Sequence, residues 1–115
     1  VLAVGEDLLD PLDQRIRRMA CALGGGLGGS HQEACGALTG GALVLGALYA
    51  RTSPDQEDTD LYRRVSAFRD RFLVEFGFTR CCDLQASGFG SEGIHPCSEL
   101  VARASRLLLD AIQEQ

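Results

Sequence analysis

The chain has 115 residues, a length that supports one hydrophobic core but not two independent ones. Its 16 acidic and 11 basic residues are mixed along the sequence and leave a net charge of −5, so no basic stripe exists to follow a phosphate backbone and nucleic acid is not an expected partner. Tryptophan is absent and there are 14 glycines, which suits close packing of backbones better than a surface for stacking bases or sugars.

In chain order, VLAVGEDLLD has the pattern of the last turns of a helix that begins before Val1. No charged segment followed by an apolar one marks a secretory signal. Behind Pro11, the residues Leu12, Ile16, Met19 and Leu23 recur at helical spacing and predict an amphipathic helix, with Arg15, Arg17 and Arg18 mostly on its other faces. The run GGGLGGS, 24–30, breaks regular structure. Ala34 to Ala50 is apolar apart from Thr39 and Tyr49 and reads as a buried helix. Ser53-Pro54-Asp55-Gln56 has the form of a capping box with proline at the first helical position. The helix it introduces carries Leu61, Val65, Phe68, Phe72 and Phe76 along one stripe and stops at Gly77. Thr79 is then placed to cap a short helix, RCCDLQAS, ahead of the loop SGFGSEG. A final helix follows His95-Pro96, with Leu100, Val101, Ala104, Leu107, Leu108, Ala111 and Ile112 facing the core. No segment alternates as a strand does. The expectation is a single all-α domain over 1–115 that lacks its N-terminal segment, a compact bundle of about five helices around the apolar Gly/Ala-rich one.

Two motifs in this pattern point away from their usual functions. A membrane span needs about 20 apolar residues, and Ala34 to Ala50 falls short. In water, the spacing of Gly36 and Gly40 instead lets a neighbouring helix approach closely. Gly24, Gly26 and Gly29 satisfy GxGxxG, but a dinucleotide turn requires a preceding strand, and here a helix precedes it.

The five cysteines carry the chemistry. Cys35, Cys81 and Cys97 each fall at the start of a predicted helix, where free N–H groups and the helix dipole favour a thiolate. Cys82 is adjacent to Cys81, so one of the two reacts while the other packs. Cys21, inside the amphipathic helix, reads as core. His31 precedes Cys35 by four residues and His95 precedes Cys97 by two, so either is a candidate proton partner or metal ligand, although surface or capping roles are the simpler reading of each. The tight CxxC spacing of zinc ribbons and ferredoxin-type clusters is absent.

Cys35-Gly36-Ala37-Leu38-Thr39-Gly40 matches CGAxxG behind a GGG segment; Phe76-Gly77 precedes Cys81-Cys82-Asp83-Leu84, and Cys97-Ser98-Glu99-Leu100-Val101 gives CxxLV. On these motifs the chain, from about Met19 to Leu109, resembles the family of redox-active proteins labelled C_GCAxxG_C_C. The resemblance implies redox or thiol chemistry in a helical domain, selects Cys81 over Cys82, and implies a further family cysteine just upstream of Val1, for which Cys21 is a poor substitute.

The expected function is thiol–disulfide exchange or electron transfer. Cys35 is the expected thiolate, Cys81 or Cys97 its resolving partner, and His31 its proton partner, with a redox protein or a small thiol as the partner and no cofactor required. The competing expectation is a metal or iron–sulfur module, zinc or a cluster held by Cys35, Cys81 and Cys97. A third is a helical homo-oligomer packed through the glycine-rich helix. Five thiols in a chain that can build a core without staples point to the cytoplasm.

Overall fold

The computed structural model describes residues 4–5, 13–90 and 95–113, and contains five helices among them: α1 (Gln14–Cys21), α2 (Gly36–Tyr49), α3 (Thr59–Phe76), α4 (Cys81–Ala86) and α5 (Cys97–Gln113). Isolated bridges join Ala34 to Arg80 and Phe89 to His95, and no strand is present among the described residues, so the domain is an all-α bundle. The opening helix read over residues 1–10 is described only at Val4 and Gly5, which are helical, and the loop residues 91–94 lie outside the described residues; α1 starts not at Pro11 but behind Asp13, whose carboxylate caps it by accepting from Arg15 N–H at 2.7 Å.

Three helices make the frame: α2 packs against α3 and α5, and α3 against α5. The phenylalanine stripe of α3 accounts for much of this packing. Phe68 and Phe72 are completely buried and Phe76 nearly so. Their rings step along the helix into Phe89 in edge and tilted contacts at centroid distances of 6.4, 4.6 and 5.5 Å. Leu100, Ala104, Leu108 and Ala111 of α5 close the core from the other side, as their helical spacing predicts, whereas Val101 stays 42% exposed. Gly77 ends α3 in the left-handed conformation at φ 81°, with its N–H donating to Leu73 O.

α2 is central because part of its surface has no side chains. A Cβ placed on Gly41 would lie 2.5 and 2.6 Å from two atoms of the Phe68 ring, so the ring rests directly on the helix backbone. Gly36 approaches Leu23 O and the Cα of Gly24 in the same way, at 3.3 and 3.6 Å from a hypothetical Cβ. Overpacking a core costs about 1–3 kcal/mol, and alanine regains about 1 kcal/mol of helix propensity over glycine. Gly41→Ala is therefore expected to lower stability by about 1 kcal/mol net, read as a drop in urea midpoint at unchanged slope.

Three local expectations are corrected. α1 contains no buried residue, and Ile16 and Met19 of the supposed core stripe are 41% and 72% exposed. The residues that α1 and the turn after it bring to the cleft are instead Arg17, Ala20, Cys21 and Gly24, and Gly36 of α2 comes close to the chain just beyond the helix, at Leu23 and Gly24. Ser53 does not start a helix. The Gln56 carboxamide accepts from Thr52 N–H at 2.9 Å and the Asp58 carboxylate from Arg51 N–H at 2.8 Å; these bonds hold 51–58 as a turn, and α3 begins at Thr59. Thr79 does not cap α4 either: Arg80 holds the cap position without a side-chain bond. The first two N–H groups of α4 are already satisfied, since Cys81 N–H donates to Glu33 O (2.9 Å) and Cys82 N–H to His31 O (2.8 Å), so a capping side chain has nothing to add there.

Candidate functional site

The segment 31–35 runs antiparallel to 79–82. Besides the two bonds just given, Cys35 N–H donates to Thr79 O at 2.8 Å, on the other side of the Ala34–Arg80 bridge. This backbone pairing brings Cys35, the N-cap residue of α2, beside Cys81, the first residue of α4. Cys97 opens α5 nearby. The three thiols are close enough for charge on one to be felt by the others: a Cys97 thiolate acts on Cys35, and thiolates at Cys35, Cys97 and Cys82 act on Cys81. All five cysteines are free.

His31 sits on Cys81. Its Nδ1 lies 3.3 Å from Cys81 Sγ and 3.4 Å from Gln85 Nε2. In the tautomer with its proton on Nε2, Nδ1 can accept from the Cys81 S–H or from the Gln85 amide. The backbone of His31 is left-handed, with φ 62°, a conformation that costs a non-glycine residue about 1–2 kcal/mol. It is held there by its N–H donating to Gly25 O at 2.8 Å and by its carbonyl accepting from Cys82 N–H. Gly26, buried and itself at φ 70°, lies under the pair: a Cβ there would stand 2.5 Å from the Cβ of Cys81 and 3.0 Å from the Cα of His31.

Burial pushes the Cys35 thiol above its ordinary pKa and outweighs the N–H groups of Ala37 and Leu38, which pull it down; a Cys97 thiolate would push it up further. The helix N-terminus therefore does not produce a low-pKa thiol at this position, because Cys35 packs against the core cluster that contains Phe72, Phe76 and Leu84. Cys81 is also raised, first by burial and then by the charges of its neighbouring thiolates. Both groups hold their protons better folded than unfolded. Their contribution to stability is complete below the ordinary thiol range and is lost as pH rises through the raised folded values. Alkylation by iodoacetamide at Cys35 is accordingly expected to reach half its limiting rate above the ordinary thiol pKa of about 8.5, read by mass spectrometry of quenched samples.

The remaining residues divide clearly. Cys82 is half-buried, and its thiol donates to Asp83 Oδ1 across 4.0 Å. His95 bonds Glu99 Oε2 at 2.7 Å, and its ring stacks on Phe89 at 5.3 Å, so it braces the start of α5. Cys21 is exposed, not core, and shares with Cys35, Cys81 and Cys97 the lining of one cleft of about 520 Å³. Its place was legible in one signal, the run of small residues Ala20, Cys21 and Gly24 on the face beside the Ile16–Met19 stripe. Gln85 had no such signal; only the fold brings it to His31. The glycine loop follows helix α1, and no strand among the described residues precedes it, so it lacks the context of a dinucleotide turn. Among the described residues, no group of three or more His, Cys, Asp or Glu is near enough to hold a metal ion, and no helix is long and apolar enough to cross a membrane.

A helical bundle whose thiols gather at the helix starts around one apolar cleft defines the class: a small all-α cysteine-site protein. More particularly, the chain belongs to the family described as "Putative redox-active protein (C_GCAxxG_C_C)", whose sequence model matches residues 1–111. Searches of curated proteins and of solved structures returned no match.

Proposed function

We propose that the protein carries out thiol–disulfide exchange, with Cys81 as the entering thiol and Cys35 as the resolving one. The observation that supports this order is the His31 Nδ1 to Cys81 Sγ distance of 3.3 Å. A thiol with a raised pKa is mostly protonated at neutral pH, but its thiolate is intrinsically the better nucleophile, so a base that removes the proton as the new bond forms is what such a thiol needs. In the reaction, His31 takes the Cys81 proton, Cys81 sulfur attacks one sulfur of a substrate disulfide, and the other substrate sulfur leaves as a thiol with that proton. Cys35 then attacks the Cys81 sulfur of the mixed disulfide and the second substrate thiol departs. Two electrons and two protons pass from the protein to the substrate, leaving a Cys35–Cys81 disulfide. Cys97 lines the same cleft as Cys35 and Cys81 and is the alternative resolving thiol.

The test is disulfide mapping of the anaerobically purified, reduced protein after exposure to hydroxyethyl disulfide, with iron and zinc measured on the same sample. A Cys35–Cys81 crosslink in the wild type, and a trapped mixed disulfide on Cys81 in Cys35→Ser, are expected. Stoichiometric metal with protected thiols would support the metal-module alternative and overturn the exchange reading.

A further inference from the structure

The cleft lined by the thiols has a size and a chemistry that bear on the substrate, an inference that rests on the exchange reaction proposed above. Its volume of about 520 Å³ lies within the range of small-molecule sites. Leu84, Phe89, Leu100 and Leu108, all buried, contribute lining carbon, and glycines 24–26, 36, 40 and 41 add backbone without side chains to the lining. Among the described lining residues Arg17 is the only one with a permanent charge, and Gln85 and Ser105 are the polar ones. A disulfide bearing several carboxylates and ammonium groups would have to leave them against carbon, a penalty for each group without a partner. The net charge of −5 further opposes an anionic substrate.

We infer that this cleft binds a small, uncharged, predominantly apolar disulfide, of the kind represented by a five-membered cyclic disulfide on an alkyl chain, and presents it to Cys81. The alkyl part gains from leaving water along the Leu84, Leu100 and Leu108 wall. Cys81 sulfur opens the ring S–S bond, forming a mixed disulfide whose second sulfur, now a thiol, stays tethered to the same molecule. Cys35 attacks the Cys81 sulfur, and the dithiol leaves with two protons and two electrons. With the protein oxidised and the dithiol supplied, the same steps run in reverse.

Reduced full-length chain would be mixed with large excesses of lipoamide, hydroxyethyl disulfide and glutathione disulfide, and the loss of thiols followed by quenching and mass analysis. Lipoamide is expected to react at least about tenfold faster than glutathione disulfide. The oxidised chain should show the same preference for dihydrolipoamide over glutathione. Exchange with all three at similar rates, or faster with glutathione, overturns the assigned substrate class while leaving the exchange chemistry standing. No crosslink of Cys81 to Cys35 or to Cys97 with any of them overturns the exchange reading, and this inference with it. Two variants separate binding from chemistry. Cys81→Ser should still bind lipoamide in ligand-detected NMR while forming no mixed disulfide at position 81. Val101→Phe, at an exposed point of the cleft lining, should raise the half-saturating lipoamide concentration by about tenfold with an unchanged circular dichroism spectrum. Absence of binding in the first, or an unchanged half-saturation in the second, counts against the cleft as the site.

Discussion

Replacing His31 with alanine is expected to slow disulfide exchange at Cys81 by about a hundredfold at neutral pH, the usual scale of a lost general base. Among the described residues the ring has one sulfur neighbour in hydrogen-bonding reach, Cys81 Sγ at 3.3 Å, while the Gln85 amide, 3.4 Å away, competes for the same nitrogen. Burial, the largest cause, raises the Cys81 thiol, so at neutral pH it needs a base to give up its proton. The deficit should shrink as pH rises into the range where Cys81 ionises unaided, and added imidazole should restore part of the rate. Stability should move in the opposite sense. His31→Gly relieves a left-handed backbone and is expected to hold or raise the folding free energy by up to about 1 kcal/mol, even as exchange falls. Stopped-flow exchange and urea titration of the same two variants test both halves. An exchange rate within about twofold of wild type in His31→Ala would remove the imidazole from the mechanism.

Gly26→Ala is expected to be the most destabilising single-methyl change at the site, by about 2–4 kcal/mol, as the sum of two separable costs. One is conformational, because alanine must enter the left-handed region at φ 70°, at about 1–2 kcal/mol. The other is steric: the new methyl would stand 2.5 Å from Cys81 Cβ and 3.1 Å from Glu33 O, and one of those neighbours is backbone. Gly28→Ala isolates the first cost, since Gly28 has φ 61° with nothing within 4 Å of its hypothetical Cβ. The difference between the two urea-derived losses then measures how tightly the glycine loop is pressed against the reactive thiol. Equal losses would mean that the loop yields and that Gly26 does not shape the site.

The frame of this molecule was legible because it rests on repetition. Leu61, Val65, Phe68, Phe72 and Phe76 recur at a spacing that only a helix places on one face, and Leu100, Ala104, Leu108 and Ala111 do the same. The misread places were those where two segments satisfy each other. Thr79 looked like a cap because capping is judged within a segment, whereas the N–H groups of Cys81 and Cys82 find their acceptors fifty residues away in sequence, at Glu33 and His31. Ile16 and Met19 looked like core because apolar spacing says nothing about whether a smaller face can come nearer. The candidate site was legible as a list of thiols, through their places at helix starts and the CGAxxG run. Its wiring was not. That His31 lies on Cys81 and not on Cys35, which is nearer in sequence, depends on a left-handed turn and a loop pairing that leave no periodic trace.

The pairing of 31–35 with 79–82 has a consequence for how this domain breathes. α2, α3 and α5 form the packed frame, whereas Cys81 and His31 are joined to each other through a few loop amides outside the α3–α5 contact. Bonds of that kind open at free energies well below that of global unfolding. In the reduced protein these loop bonds are expected to open more readily than those of the helical frame, although buried Leu84 ties α4 to the core. A covalent link between Cys35 and Cys81 would stitch the two segments together and abolish that opening. Amide protons of Cys81 and Cys82 would then exchange slowly in the oxidised protein and quickly in the reduced one, so that the electron count of the site is recorded in the mobility of its backbone.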